Sequence, residues 1–174
     1  WGEYSSPLEI SAEGTHLLEC YAVDLAGNQG EVVERTFRLD LVQPTCSAEV
    51  SGTLGLNGIY VSEVQVNVTA QDHMSGVAAV HLRINSGAWS VADGAVTVTA
   101  QGLTVVEFYA VDRAGNAGPI GAVHMDIDTA APSVLAVTDR PAREGWYASE
   151  VNVTLSTDEG GCVMQYRLGS GDWA

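Results

Sequence analysis

Lysine is absent from all 174 residues, and seven arginines face 22 carboxylates, a formal net charge of −15. That balance excludes recognition of nucleic acid through its phosphates, which needs a basic surface. The missing lysine also excludes two covalent fastenings of surface fibres, the Lys–Asn isopeptide bond and the lysine-linked pilus joint. Assembly would therefore be non-covalent or disulfide-linked, and only three cysteines serve the latter. No apolar run approaches the roughly 20 residues that span a bilayer. Charged residues, at 17%, are too few for a disordered tail or a coiled coil, while 46% hydrophobic residues suffice for packed cores. A helical apolar stripe is missing as well. His16, His73, His81 and His124 are scattered, without the spacing of a nucleophile–base pair or a metal site, so no enzyme is expected.

What is present is repetition. Glu19-Cys20-Tyr21-Ala22-Val23-Asp24-Leu25-Ala26-Gly27-Asn28 returns 88 positions later as Glu107-Phe108-Tyr109-Ala110-Val111-Asp112-Arg113-Ala114-Gly115-Asn116. The same shift carries Trp1 onto Trp89, Asp40 onto Asp128 and Pro44 onto Pro132. A second match places Gly58-Ile59-Tyr60-Val61-Ser62-Glu63-Val64 on Gly145-Trp146-Tyr147-Ala148-Ser149-Glu150-Val151, and Ser86-Gly87-Ala88-Trp89 on Ser170-Gly171-Asp172-Trp173. Such self-similarity marks tandem units, each the size of a small domain. The phase predicts the C-terminal half of one module over 1–43, a complete module over 44–131 and the N-terminal half of another over 132–174. The native polypeptide is then expected to continue at both ends.

Val64-Gln65-Val66-Asn67-Val68-Thr69-Ala70 and Val151-Asn152-Val153-Thr154-Leu155 alternate apolar with polar residues, the period of a half-buried strand. Further strands are expected over 78–84, 95–99, 104–111 and 123–127. About seven short strands per repeat, separated by turns rich in Gly, Asn, Asp and Ser, predict an all-β fold of sandwich modules of about 88 residues. In Asp-x-Ala-Gly-Asn, the aspartate can accept backbone N–H groups just downstream, and glycine and asparagine tolerate a left-handed backbone. Asp24, Gly27 and Asn28, and their copies Asp112, Gly115 and Asn116, are thus a turn framework between the last two strands.

Tyr109-Ala110-Val111-Asp112-x-Ala114-Gly115-Asn116, preceded by Asp72-x-x-Ser75-Gly76-Val77 and Arg83-x-x-x-x-x-Trp89, resembles the bacterial immunoglobulin-like repeats of large cell-surface and secreted proteins. The likeness covers nearly the whole chain. It implies tandem immunoglobulin-like β-sandwiches at an extracellular or cell-surface location, and it implies no particular ligand. The third repeat departs from the pattern, with Asp158-Glu159-Gly160-Gly161-Cys162 in place of Asp72 to Val77.

Strand parity puts Cys162 with Met164, Tyr166 and Leu168 on an inner face, and Cys20 with Leu18 and Ala22 on another. The complete module has Phe108 at the position of Cys20. Cysteine-type modules would then alternate with aromatic-core modules, and Cys162 of one repeat unit would pair with the Cys20 position downstream, for about 2–4 kcal/mol. Two buried thiols are the alternative. Cys46 has no evident partner within the sequence.

Asp40, Asp126 and Asp128 collect where modules should join, a candidate calcium site; otherwise no cofactor is expected. Asn67-Val68-Thr69 and Asn152-Val153-Thr154 are candidate glycosylation sequons at Asn67 and Asn152. Trp89 and Trp146 are candidate sugar platforms, against which stands their recurrence at repeat positions, a mark of framework residues. The expected function is a non-enzymatic extracellular array, as a filament, sheath or adhesin-like stalk. Its partners would be neighbouring copies or surface polysaccharide. The competing reading is a carbohydrate-binding or spacer module of a secreted glycoside hydrolase.

Overall fold

A computed structural model describes residues 2–173; Trp1, assigned above to the repeat position of Trp89, lies outside the described residues. The described chain is all β, with one three-residue 3-10 turn and no α-helix. It divides into two compact units, residues 1–129 and 130–174.

The first unit opens with a hairpin of β1 (Gly14–Cys20) and β2 (Val33–Leu39), antiparallel from Gly14 opposite Leu39 to Cys20 opposite Val33. One repeat length then supplies seven strands: β3 (Thr45–Ser51), β4 (Val64–Gln71), β5 (Val77–Ile84), β6 (Ser90–Val91), β7 (Val96–Val98), β8 (Gly102–Asp112) and β9 (Gly121–Ile127). They form a three-stranded sheet, β3-β4-β7, and a four-stranded sheet, β6-β5-β8-β9, all antiparallel. The two sheets close on one core. Val64, Val66 and Val98 from the smaller sheet meet Val106, Met125 and Ile127 from the larger, with Tyr60, Ile84 and Val123 packed around them. Burial of each such side chain is worth about 1.5–3 kcal/mol, which is why alternation in β4 and β8 dictates which face turns inward. In β8 the alternation is complete, with Thr104, Val106, Phe108, Ala110 and Asp112 all buried.

The expected boundary at 43/44 is not a division between compact units. Pro44 is fully buried, and a Cβ on Gly118 would strike the Pro44 carbonyl oxygen, so the chain entering β3 runs against the segment leaving β8. The division at 129/130 falls two residues before the expected boundary at 131/132.

The second unit contains β10 (Val134–Thr138) paired antiparallel with β11 (Val153–Thr157). Its register, Ala136 opposite Leu155 and Thr138 opposite Val153, repeats that of Ala48 opposite Val68 and Val50 opposite Val66 in β3–β4. The strand expected over 162–168 does not form; those residues are irregular. In the complete repeat its counterpart, β5, is hydrogen-bonded to β8 along its length. Among the described residues of the second unit, 162–168 pairs with no neighbouring strand, and a segment without a ladder partner is not held as a strand.

Candidate functional site

The Asp-x-Ala-Gly-Asn segments fold as two copies of one turn. Asp112 Oδ1 accepts the N–H groups of Gly115 at 2.7 Å and Asn116 at 2.8 Å, while Oδ2 accepts Asn116 Nδ2 at 2.7 Å. Asp24 does the same with Ala26 and Asn28 at 2.9 and 2.8 Å, and Oδ2 takes Asn28 Nδ2 at 2.8 Å. Gly27 and Gly115 supply the left-handed step, at φ of +90° and +100°. The asparagines work differently from expectation. Their φ values are not positive, and each clamps its aspartate through the side-chain amide.

In the complete repeat that clamp extends further. Asn116 Nδ2 also donates to the backbone carbonyl of Asp40 at 3.0 Å, while Asp40 Oδ2 accepts the Ser75 N–H at 2.8 Å and Oδ1 the Val42 N–H at 3.1 Å. Asp72 reaches the same place from the loop after β4. Its Oδ1 accepts the N–H groups of Gly76 at 2.6 Å and Met74 at 3.2 Å. One carboxylate oxygen from each of Asp40, Asp72 and Asp112 lies within 4.8 Å of the others. Asp40 is 8% exposed and Asp112 2%. Asp72 Oδ2 is buried and has no hydrogen-bond partner.

Burial works against the charge on Asp112, but the Asn116 amide and the Asn116 and Gly115 N–H groups outweigh it, holding its pKa below the ordinary carboxylate value. Asp40 is likewise lowered, chiefly by its hydrogen bonds from Ser75. Three carboxylates are thus gathered with donors arranged to keep two of them ionised.

The junction aspartates separate here. Asp40 belongs to the cluster, whereas Asp126 and Asp128 do not. Asp126 is exposed on β9 beside a shallow, open hollow lined by Leu54, Tyr60 and His124, and the Asp128 N–H donates to the Tyr60 carbonyl at 2.8 Å. Sequence reading missed Asp72 and Asp112 as partners of Asp40. Its one available signal was the pair of oxygen-rich loops, Asp72-x-x-Ser75-Gly76 and Asp112-x-Ala114-Gly115-Asn116, in the same repeat.

Trp89 is half-buried and engaged. It meets Tyr109 edge-on at 4.7 Å, the Arg83 guanidinium lies 4.6 Å over its ring, and Arg83 forms an ion pair with Glu107 at 2.7 Å. Tyr109 in turn stacks on His81 at 4.9 Å. The next repeat rebuilds the cation–π pair, with Arg167 4.8 Å over Trp173. Trp146 is different: it is 80% exposed, in a turn where it exchanges backbone hydrogen bonds with Arg143. Asn67 and Asn152 are both exposed, though the Asn152 amide donates to Asp139 Oδ2 at 2.9 Å.

All three cysteines are unbonded. Cys20 does not face a core as parity predicted; it is exposed, because β1–β2 has no second sheet over it at that end. Cys162 is half-buried, and burial of the Cys46 thiol raises its pKa. The complete repeat also supplies a ruler for the expected Cys162–Cys20 pair. The position of Cys20 is Phe108, which stands opposite Leu82, whereas that of Cys162 is Val77 or Ala78, at least four residues further along β5. Four residues of strand span about 13 Å, well beyond the roughly 7 Å between Cα atoms that a disulfide can bridge. The register therefore gives that pairing no support.

No protein-family model matches this chain, and no curated protein shows significant similarity to it.

Proposed function

We propose that the chain is a segment of a non-enzymatic, extracellular structural array of tandem immunoglobulin-like modules, working as a filament, sheath or cell-surface stalk. The observation that carries this reading is that a single repeat length, 44–131, holds seven strands in two sheets around its own core, while the sequence on either side repeats parts of it in register. An array of such units spans distance by adding copies. Acidic surfaces favour solubility and discourage lateral sticking between repeats. Electron microscopy of the native material tests the reading: regular filaments or stalks with an axial period of one or two modules are expected, and compact globular particles would overturn it.

One observation favours the carbohydrate-binding alternative, the 80% exposure of Trp146. Under that reading a panel of polysaccharides includes a ligand whose binding disappears in Trp146→Ala while folding persists. Trp89, held by Tyr109 and Arg83, is instead expected to be needed for folding.

A further inference from the structure

We infer that the hairpin tip carrying Trp146 docks into the apolar hollow beside Leu103 on a second copy of this chain. The contact deepens the array reading and rests on it, since it supplies a means of holding neighbouring chains together.

The knob is built rigidly. Arg143 and Trp146 exchange both backbone hydrogen bonds, at 2.9 Å each, across a two-residue turn whose central residues, Glu144 and Gly145, have φ of +49° and +84°. Two positive φ values in succession match the tight type I′ turn, whose twist suits a hairpin. Residues opposed across a hairpin share a face, so Trp146 stands beside Arg143 at an exposed tip. A tip so fixed loses little freedom on docking, and Trp and Arg are among the side chains that most often dominate an interface. The repeat framework accounts for neither residue, because Leu56 and Ile59 hold their positions in the complete repeat.

The seat is on the complete repeat. Leu54, Tyr60, Leu103 and Met125 line a hollow of about 360 Å³, with His124 and Asp126 also in its wall. Leu54 and Leu103 are large apolar side chains left exposed there. Pro141 and Thr15 stand at their positions in the flanking repeats, so these apolar walls are particular to this one.

Charge decides which partner fits. Copies carrying −15 each repel, and a specific contact between them needs a place where opposite charges meet. Among the described residues, neither Arg143 nor Asp126 has an ion pair within its own copy. Seating Trp146 brings Arg143 to the hollow whose wall carries Asp126. Knob and hollow lie on different repeats, so the contact is heterologous, and each copy added still offers a free knob or a free hollow.

The test is sedimentation of the 174-residue protein from roughly 10 µM to 1 mM, where an interface this small associates. Association that grows with concentration and passes beyond a dimer is expected. Trp146→Ala and Leu103→Glu change exposed side chains, so both should stay folded, and each should weaken self-association by about tenfold or more. Mixed in equal amounts, the two variants should recover a dimer, because Leu103→Glu keeps its knob and Trp146→Ala keeps its hollow. Arg143→Glu and Asp126→Arg should each weaken association, and the two combined in one chain should restore it. A parent that stays monomeric throughout, or a mixture no more associated than either variant alone, would overturn the contact. So would a polysaccharide bound through Trp146 by a chain that remains monomeric. Filaments in the native material beside a monomeric 174-residue chain would remove this contact and leave the array reading, whereas compact particles beside a recovered dimer would do the reverse.

Discussion

Residues at one repeat position meet opposite fates in different parts of this molecule. Val66 in β4 is wholly buried, and its counterpart Val153 in β11 is 57% exposed; Val106 in β8 is wholly buried, and its counterpart Leu18 in β1 is 38% exposed. The local sequence, strand type and register are shared. What differs is the opposing sheet. The complete repeat has β3-β4-β7 facing β6-β5-β8-β9, whereas β10–β11 and β1–β2 are two-stranded. A hairpin is cheap to specify by alternation and turn chemistry, but its stability comes from what covers its apolar face. The difference teaches that the sandwich, and not the hairpin, is the unit of stability along this chain.

The largest break in the comparison should come from Ile127, a fully buried member of the shared core. Ile127→Ala is expected to cost about 2–5 kcal/mol in denaturant unfolding of the complete repeat. Acid should come next. Asp112 and Asp40 have folded pKa values below their ordinary ones, so their stabilisation is fully present above the unfolded value of about 4 and is lost as pH falls toward the folded values. Thermal midpoints followed from pH 7 to pH 3 without calcium should therefore drop below about pH 4; a flat or rising trend would contradict the assignment.

A smaller effect of opposite sign is expected at Thr104, whose Oγ1 is buried and without a partner near the start of β8. Thr104→Val removes that stranded hydroxyl and should stabilise by about 1 kcal/mol, read as an upward shift in the denaturant midpoint. Val153→Ala, on the uncovered face of β11, should change stability by no more than about 0.5 kcal/mol, against a clear loss for Val66→Ala at the matching position. Thiol chemistry sharpens the same contrast without altering stability. Exposed Cys20 should react with an alkylating reagent faster than Cys46, whose burial raises its pKa and limits access.

Strands β4, β5, β8 and β9 were legible because alternation in a half-buried strand is local information, and the Asp-x-Ala-Gly-Asn turn was legible because its hydrogen bonds close within five residues. The failures share the opposite property. Parity placed Cys20 inward, but burial of that face depends on a sheet that does not cover it. Alternation from Cys162 to Leu168 marked a strand, but a strand also needs a neighbour to bond. The aspartate cluster was half-seen: Asp40 stood out through its repeat at Asp128, whereas its spatial partners lie 32 and 72 residues downstream, just after β4 and at the end of β8, where only the folded sheets bring them together. Trp89 was legible as framework from its recurrence, and its contacts with Arg83 and Tyr109 give that recurrence a cause.

The claim that the sandwich is the stability unit is tested most directly by amide hydrogen exchange resolved along the intact 174-residue chain. The account predicts that β3, β4, β5, β8 and β9 are protected together with one opening free energy, while β10 and β11, and the Cys20 end of β1, exchange orders of magnitude faster. Equal protection of β4 and β11, or of β8 and the end of β1, would contradict it.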